Sequence, residues 1–170
     1  MPDSTLSAAL KEAYASCPTS TVIYDTLQIS HDDIATDIFI VNRLEDLAAT
    51  LEGDTVATTF SAVPFDFKLP KKDGQGVPEL TVAIGNIKKE ASNYVESVRD
   101  SHKPIVIRYR PYLSTDLTQP QMDPPLHLEV KEASITNFQV QFRAVFFNFK
   151  NQLWPLEMYT QKRFPTIGQG

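Results

Sequence analysis

The chain has 170 residues, a formal net charge of −5, 42% hydrophobic and 22% charged residues, which excludes a disordered chain and is ordinary for one globular domain able to bury about 70% of its unfolded surface. An acidic balance argues against holding a phosphate backbone by charge. One cysteine, Cys17, excludes an internal disulfide framework and a multi-cysteine zinc site.

In chain order, Met1 to Thr5 has neither the basic region nor the apolar core of a signal peptide. No apolar run reaches the about 20 residues that span a bilayer, so synthesis in a cytoplasm with no membrane segment is expected. Ser4 is placed to cap a helix running to Ser16, with Leu6, Leu10, Ala13, Tyr14 and Cys17 on one face and Pro18 as its stop. Cys17 is expected as a small buried side chain. This helix either packs on the domain or reaches a neighbour.

Thr21 to Ile29 and Asp37 to Val41 are rich in β-branched residues and flank the polar turn Ser30-His31-Asp32-Asp33. A hairpin follows, Asp46 to Leu51 and Thr55 to Phe60, turning at Glu52-Gly53-Asp54. Val63 to Leu69 alternates strictly, and Pro64, which cannot donate a ladder bond, marks an edge strand or a strand start. A loop from Pro70 to Pro78 leads to the strand Leu80 to Ile84. Asn86 is expected to cap a helix over residues 86–101 that buries Ile87, Ala91, Tyr94, Val95 and Val98.

Ile105, Ile107 and Tyr109 share one strand face, with Val106, Arg108 and Arg110 on the other. Pro111 to Pro125 reads as a long connection, either functional or an arm. Two strands then turn at Thr136-Asn137, the second directing Phe138, Val140, Phe142, Ala144 and Phe146 to one side. The pattern predicts a mainly β fold with α elements (α+β). Residues 1–19 form an N-terminal helix, and residues 20–150 form a β-sandwich or partly closed barrel of about eight strands with one flanking helix. Residues 151–170 form an aromatic tail.

Residues of chemical type are few. His31-Asp32-Asp33 is the single cluster of metal-type ligands, but adjacent residues in a turn point apart, and a solvated turn is the expected reading. His102 follows the second helix, and His127 alternates with Leu126 and Leu128, which places it toward solvent or a neighbour. No Gly-x-Ser-x-Gly occurs, and Gly74 and Gly76 precede a strand where a phosphate loop would precede a helix. Glu129 and Glu132 belong to a strand ladder and are expected exposed. Arg108, Tyr109, Arg110 and Tyr112 either stack on a base or sugar, or present arginines to solvent or a partner. Trp154, Tyr159 and Phe164 either close the domain's own core or anchor in a groove of an adjacent subunit. No catalytic residue, cofactor or metal ligand is assigned, and no enzyme is expected.

Thr21 to Leu27 with Ile29-Ser30-His31, Pro64 to Pro70, Pro78 to Ile87, Arg108 to Ser114, Pro124-Pro125-Leu126 and Tyr159 to Pro165 run in order along most of the chain. Together these segments resemble an uncharacterised family of tailed-bacteriophage minor tail proteins. The resemblance implies a structural virion component at the tail tip or baseplate hub of a long-tailed phage, with a tail-tube-like β-sandwich flanked by a helix. Such a protein forms a ring of three or six copies joining the tail tube, or a distal tail protein, to the hub and tape measure. DNA passes without specific binding. The expected inter-subunit contacts are Lys71, Lys72 and Asp73 in one loop, Ser114 and Asp116 in another, and Trp154, Tyr159, Arg163 and Phe164 in the tail. The alternative is a carbohydrate-binding β-sandwich for host recognition, marked by exposed coplanar aromatics, for which Trp154 is the lone tryptophan.

Overall fold

A computed structural model describes residues 6–68, 79–85 and 89–146. The elements run α1 (Ala8–Ser16), β1 (Ile23–His31), β2 (Ile34–Val41), β3 (Leu47–Thr50), β4 (Ala57–Ala62), β5 (Phe65–Lys68), β6 (Glu79–Gly85), α2 (Glu90–Ser97), β7 (Val106–Leu113), β8 (Leu126–Ile135) and β9 (Gln139–Phe146). Among the described residues the strands make one mixed sheet in the order β3-β4-β2-β1-β7-β8-β9-β6-β5. Neighbours pair antiparallel except β2 and β4, which meet in parallel through Ile40–Ser61 and Val41–Ala62.

Register follows the apolar alternation. Leu80, Val82 and Ile84 of β6 stand opposite Ala144, Phe142 and Val140 of β9, and all six are buried in one core. A slip by one residue would turn each of them to the other face. The same core takes Leu27 and Ile29 from β1, Ile107 from β7, Leu128 from β8, Ala91 and Tyr94 from α2, which lies over the sheet as its covering helix, and Val98 at that helix's C-cap.

Among the described residues the ladder ends at β3 and β5, so the sheet is open and does not close into a barrel. Yet it curls strongly. The rings of Phe67 on β5 and Tyr109 on β7 are 5.2 Å apart between centroids, although four strand spacings separate these strands, roughly 19 Å in a flat sheet at about 4.8 Å each. The covalent reason is the short passage from β4 to β5 through Val63 and Pro64. Proline cannot extend the ladder, so the chain leaves the flank of β2 and joins β6 at the far end of the order. The Val63 amide still donates to the Val41 carbonyl at 3.1 Å, and the Gly85 amide donates to the Pro64 carbonyl at 2.9 Å. This linker therefore pins the two ends of the sheet near each other.

Several boundaries differ from the expected ones. The first helix begins at Ala8 and its cap is Ser7, whose hydroxyl accepts from the Leu10 amide at 3.0 Å; Ser4 lies outside the described residues. Cys17 is exposed, because it ends the helix in the left-handed region with φ 45°. The helix packs on the domain itself: Leu10 and Ala13 are buried with Leu113. Asn86 and Ile87 also lie outside the described residues; α2 starts after Lys89, which has φ 58°. Phe138 precedes β9 at the hairpin tip and is 87% exposed, away from the buried face that Val140, Phe142 and Ala144 share. The polar turn is shorter than expected, since His31 pairs with Ile34 and is itself buried.

Candidate interaction site

The basic and aromatic strand β7 is bound into the protein's own polar layer. Arg110 is buried, donating from Nε to both Glu52 carboxylate oxygens and from a terminal nitrogen to Gln28 Oε1 at 2.7 Å. Gln28 in turn donates to Asp37. Tyr112 is fully buried and donates to the Thr50 carbonyl at 2.8 Å; burial pushes its phenol pKa up, the Arg110 charge opposing and the Glu52 charge adding to the rise. Tyr109 donates to Asp25 Oδ1 at 2.7 Å, and Arg108 to Ser30 Oγ at 3.0 Å. Arg110 is thus neither on a solvated face nor available to stack on a base. The face it occupies is covered by the β3–β4 hairpin, whose Leu47, Ala49 and Phe60 form a second core with Val41 and Tyr112.

The connection after β7 is sewn down along its length. Ser114 pairs with Val22 through its amide at 2.8 Å and its hydroxyl at 3.0 Å. Asp116 Oδ1 accepts from the Thr118 hydroxyl at 2.6 Å and the Thr118 amide at 3.0 Å, and these bonds, the hydroxyl's first, hold its carboxyl below the usual range. The Leu117 carbonyl accepts from Thr50 at 3.0 Å and that of Gln121 from Ser7 at 2.9 Å. The loop ties β1, β3 and α1 together. Ser114 and Asp116, expected at an inter-subunit contact, spend these polar groups inside their own chain. Lys71, Lys72, Asp73, Trp154, Tyr159, Arg163 and Phe164 lie outside the described residues.

His31 bridges two segments. Its Nδ1 accepts from the Asp33 amide at 3.1 Å, which fixes the tautomer so that Nε2 donates to the Lys103 carbonyl at 3.1 Å. Lys103 Nζ meets Asp33 at 2.8 Å, and this bond chiefly lowers the Asp33 pKa. Among the described residues no group of three His, Cys, Asp or Glu side chains could hold a metal, and no helix is long and apolar enough to cross a membrane. Glu129 and Glu132 pair with Lys131 at 3.4 Å and Arg143 at 3.0 Å, Glu132 in the open and Glu129 mostly covered.

The curl of the sheet leaves a cleft of about 450 Å³ at one end, walled by Tyr14, Asp25, Phe65, Asp66, Phe67 and Tyr109. Sequence reading passed over it, since its residues come from α1, β1, β5 and β7 and share no local motif. The run Phe65-Asp66-Phe67 was its one visible trace. Burial, then the charge and hydrogen bond of Asp25, then Tyr14, push the Tyr109 phenol pKa up, so the hydroxyl stays a donor.

An open, curled mixed sheet under one helix, with an aromatic and acidic cleft at its end, defines a mainly β protein of the α+β kind. The chain belongs to the DUF1833 family, a domain of unknown function, whose family model matches residues 9–159. That match takes in α1 from Ala9 onward together with the whole described sheet. No curated protein matches the chain.

Proposed function

We propose that the protein is a structural component of the distal tail of a long-tailed bacteriophage, at the tail tip or baseplate hub. Copies assemble there as a ring of three or six that joins the tail tube, or a distal tail protein, to the hub and tape measure. The observation that carries this reading is the sheet that, among the described residues, curls without closing and ends in two strands of four residues each, β3 and β5. Short ends restrain indiscriminate pairing while leaving defined surfaces for a neighbour. A ring needs two different complementary patches on each copy, and the two ends of this sheet differ in sequence and surroundings. The finer fold, a tail-tube-like β-sandwich, is supported by the core in which β1 and β7 share apolar side chains with β5, β6 and β9. The role is mechanical and not catalytic. A net charge of −5 suits a wall past which DNA slides.

The test is mass spectrometry of purified particles from a phage that encodes this chain, followed by reconstruction of the tail end. Peptides of this chain in the particle, and a ring of density that its sheet fits, are expected. Its absence from purified particles overturns the reading.

A further inference from the structure

A groove of about 460 Å³ runs beside the part of β8 that β7 does not reach. β7 pairs with β8 only from Leu126 to Glu129, and the Val130 amide still donates to the Ile105 carbonyl at 2.9 Å. From Lys131 to Ile135 the strand has β9 on one side and, among the described residues, no strand on the other. Val130, Lys131, Glu132 and Ala133 all line the groove, although neighbours in a strand point to opposite faces. The groove therefore follows the edge of β8. Its far wall is Val95 of α2, Val98 at the helix C-cap and Ile105 on the approach to β7. Apolar side chains beside a strand edge take up an extended segment through its backbone and its alternate side chains.

We propose that this groove holds the chain's own segment around Trp154, its indole seated between the end of α2 and β8. The described residues stop at Phe146, and residues 147–170 follow. Within them Trp154-Pro155-Leu156-Glu157-Met158 alternates, so a segment laid out straight has Trp154, Leu156 and Met158 on one side. With the Leu156 amide toward β8, Pro155 falls where an amide would face away, the place an edge strand allows proline. The family model matches as far as residue 159, so the matched unit includes this stretch together with the sheet. Reach is sufficient. Phe146 stands opposite Leu128. From there the groove between Val130 and Ala133 lies about 7–17 Å along β8 and about 10 Å across, two strand spacings. The eight residues leading to Trp154 span up to about 26 Å. An indole buries on the order of 150–250 Å², and a tether this short presents it at about millimolar effective concentration, which a free partner must exceed. This goes beyond the virion reading and does not depend on it: Trp154 leaves the contacts expected between subunits, and the ring is decided by other surfaces.

Trp154 is the lone tryptophan, so its fluorescence in the full chain reports the docking directly. A nitroxide, which quenches an indole on contact, is attached through Arg99→Cys on the groove wall. The control label is attached through Asp54→Cys in the β3–β4 turn, at the other end of the strand order, each in a Cys17→Ser background. Both positions are exposed, so folding is not at stake. Emission is expected at a shorter wavelength than in the urea-unfolded chain, most of it lost under the Arg99 label and little under the Asp54 label. Mixing chains that carry the Arg99 label and Trp154→Phe with unlabelled chains is expected to leave the emission unchanged, since indole and label then sit on different copies. Emission matching the unfolded chain, or shifted emission that the Arg99 label leaves intact, overturns the proposal. So does equal quenching by the two labels. Quenching in the mixture makes a neighbour's groove the receptor and overturns docking within the chain.

Discussion

Arg110 on β7 and Glu52 in the turn after β3 are joined by a two-pronged contact, Nε lying 2.6 Å from Oε1 and 2.9 Å from Oε2, with 6% of the arginine side chain exposed and 26% of the glutamate. This pair fastens the β3–β4 hairpin to the outer face of the sheet. Its removal from one side leaves a buried guanidinium with Gln28 as its remaining described acceptor. Breaking a buried pair costs about 3–5 kcal/mol. The partial exposure of Glu52 puts Glu52→Ala lower, at about 2–4 kcal/mol, seen as a lower urea midpoint with an unchanged slope. Glu52→Gln, which keeps one acceptor, is expected to lose about half of that. An Ala variant within 0.5 kcal/mol of the parent, an estimate of ordinary surface scatter, would show that the pair contributes nothing.

The same pair shows where sequence reading stops. Alternation identifies two faces of a strand, and it set Val140, Phe142 and Ala144 on one side, which is the core side. It does not reveal whether the opposite face receives a second layer. On β1 and β7 that layer exists, so Thr26 and Gln28 are buried along with Leu27 and Ile29, and Arg110 and Tyr112 become interior residues. The stripe of Ala91 and Tyr94 in α2 and Val98 at its C-cap was legible because a 3.6-residue period has one reading. The openness of the sheet was not, since it depends on the course of two residues, Val63 and Pro64. The cleft was hidden for a plainer reason: its walls come from positions as far apart as Tyr14 and Tyr109, and only the curl assembles them.

Gly85 tests how tightly that curl is pinned. A Cβ built there would lie 3.2 Å from both the Cγ and the carbonyl oxygen of Pro64, and that oxygen accepts the Gly85 amide. The proline ring and the backbone oxygen have little freedom to retreat. Gly85→Ala is expected to destabilise by about 1–2 kcal/mol through overpacking, measured by urea denaturation. A neutral result would mean that the linker yields and does not hold the sheet ends.

Tyr94 offers a change of the opposite sign. Among the described residues its hydroxyl is buried beneath α2 without a hydrogen-bond partner; the backbone of His31 gives partial relief without reaching hydrogen-bond geometry. An unsatisfied buried polar group costs on the order of 1–3 kcal/mol. Tyr94→Phe removes it and keeps the ring, so stability is expected to be unchanged or to rise by up to about 1 kcal/mol. A loss above about 1 kcal/mol on chemical denaturation would instead assign the hydroxyl a real bond.

The tyrosines also set the alkaline limit of the fold. Burial, with the Asp37 charge second, pushes the Tyr94 phenol up to about 12, and burial raises Tyr109 and Tyr112 as well. In the unfolded chain each ionises near about 10. Below that value both states hold the proton, and the contribution of these groups to stability is complete. Above it the unfolded chain releases protons that the native protein keeps, so stability falls as pH rises through 10 and is lost toward 12 for Tyr94, later for the other two. Ionisation of these phenols, followed at 295 nm, is expected to coincide with loss of the far-ultraviolet circular dichroism signal. Tyr94→Phe removes one of the three contributions, so its stability is expected to decline less steeply between pH 10 and pH 12. Phenolate formation at all three positions in a protein that keeps its native circular dichroism would mean that water reaches them, and the buried layer between β7 and its covering elements would have to be redrawn.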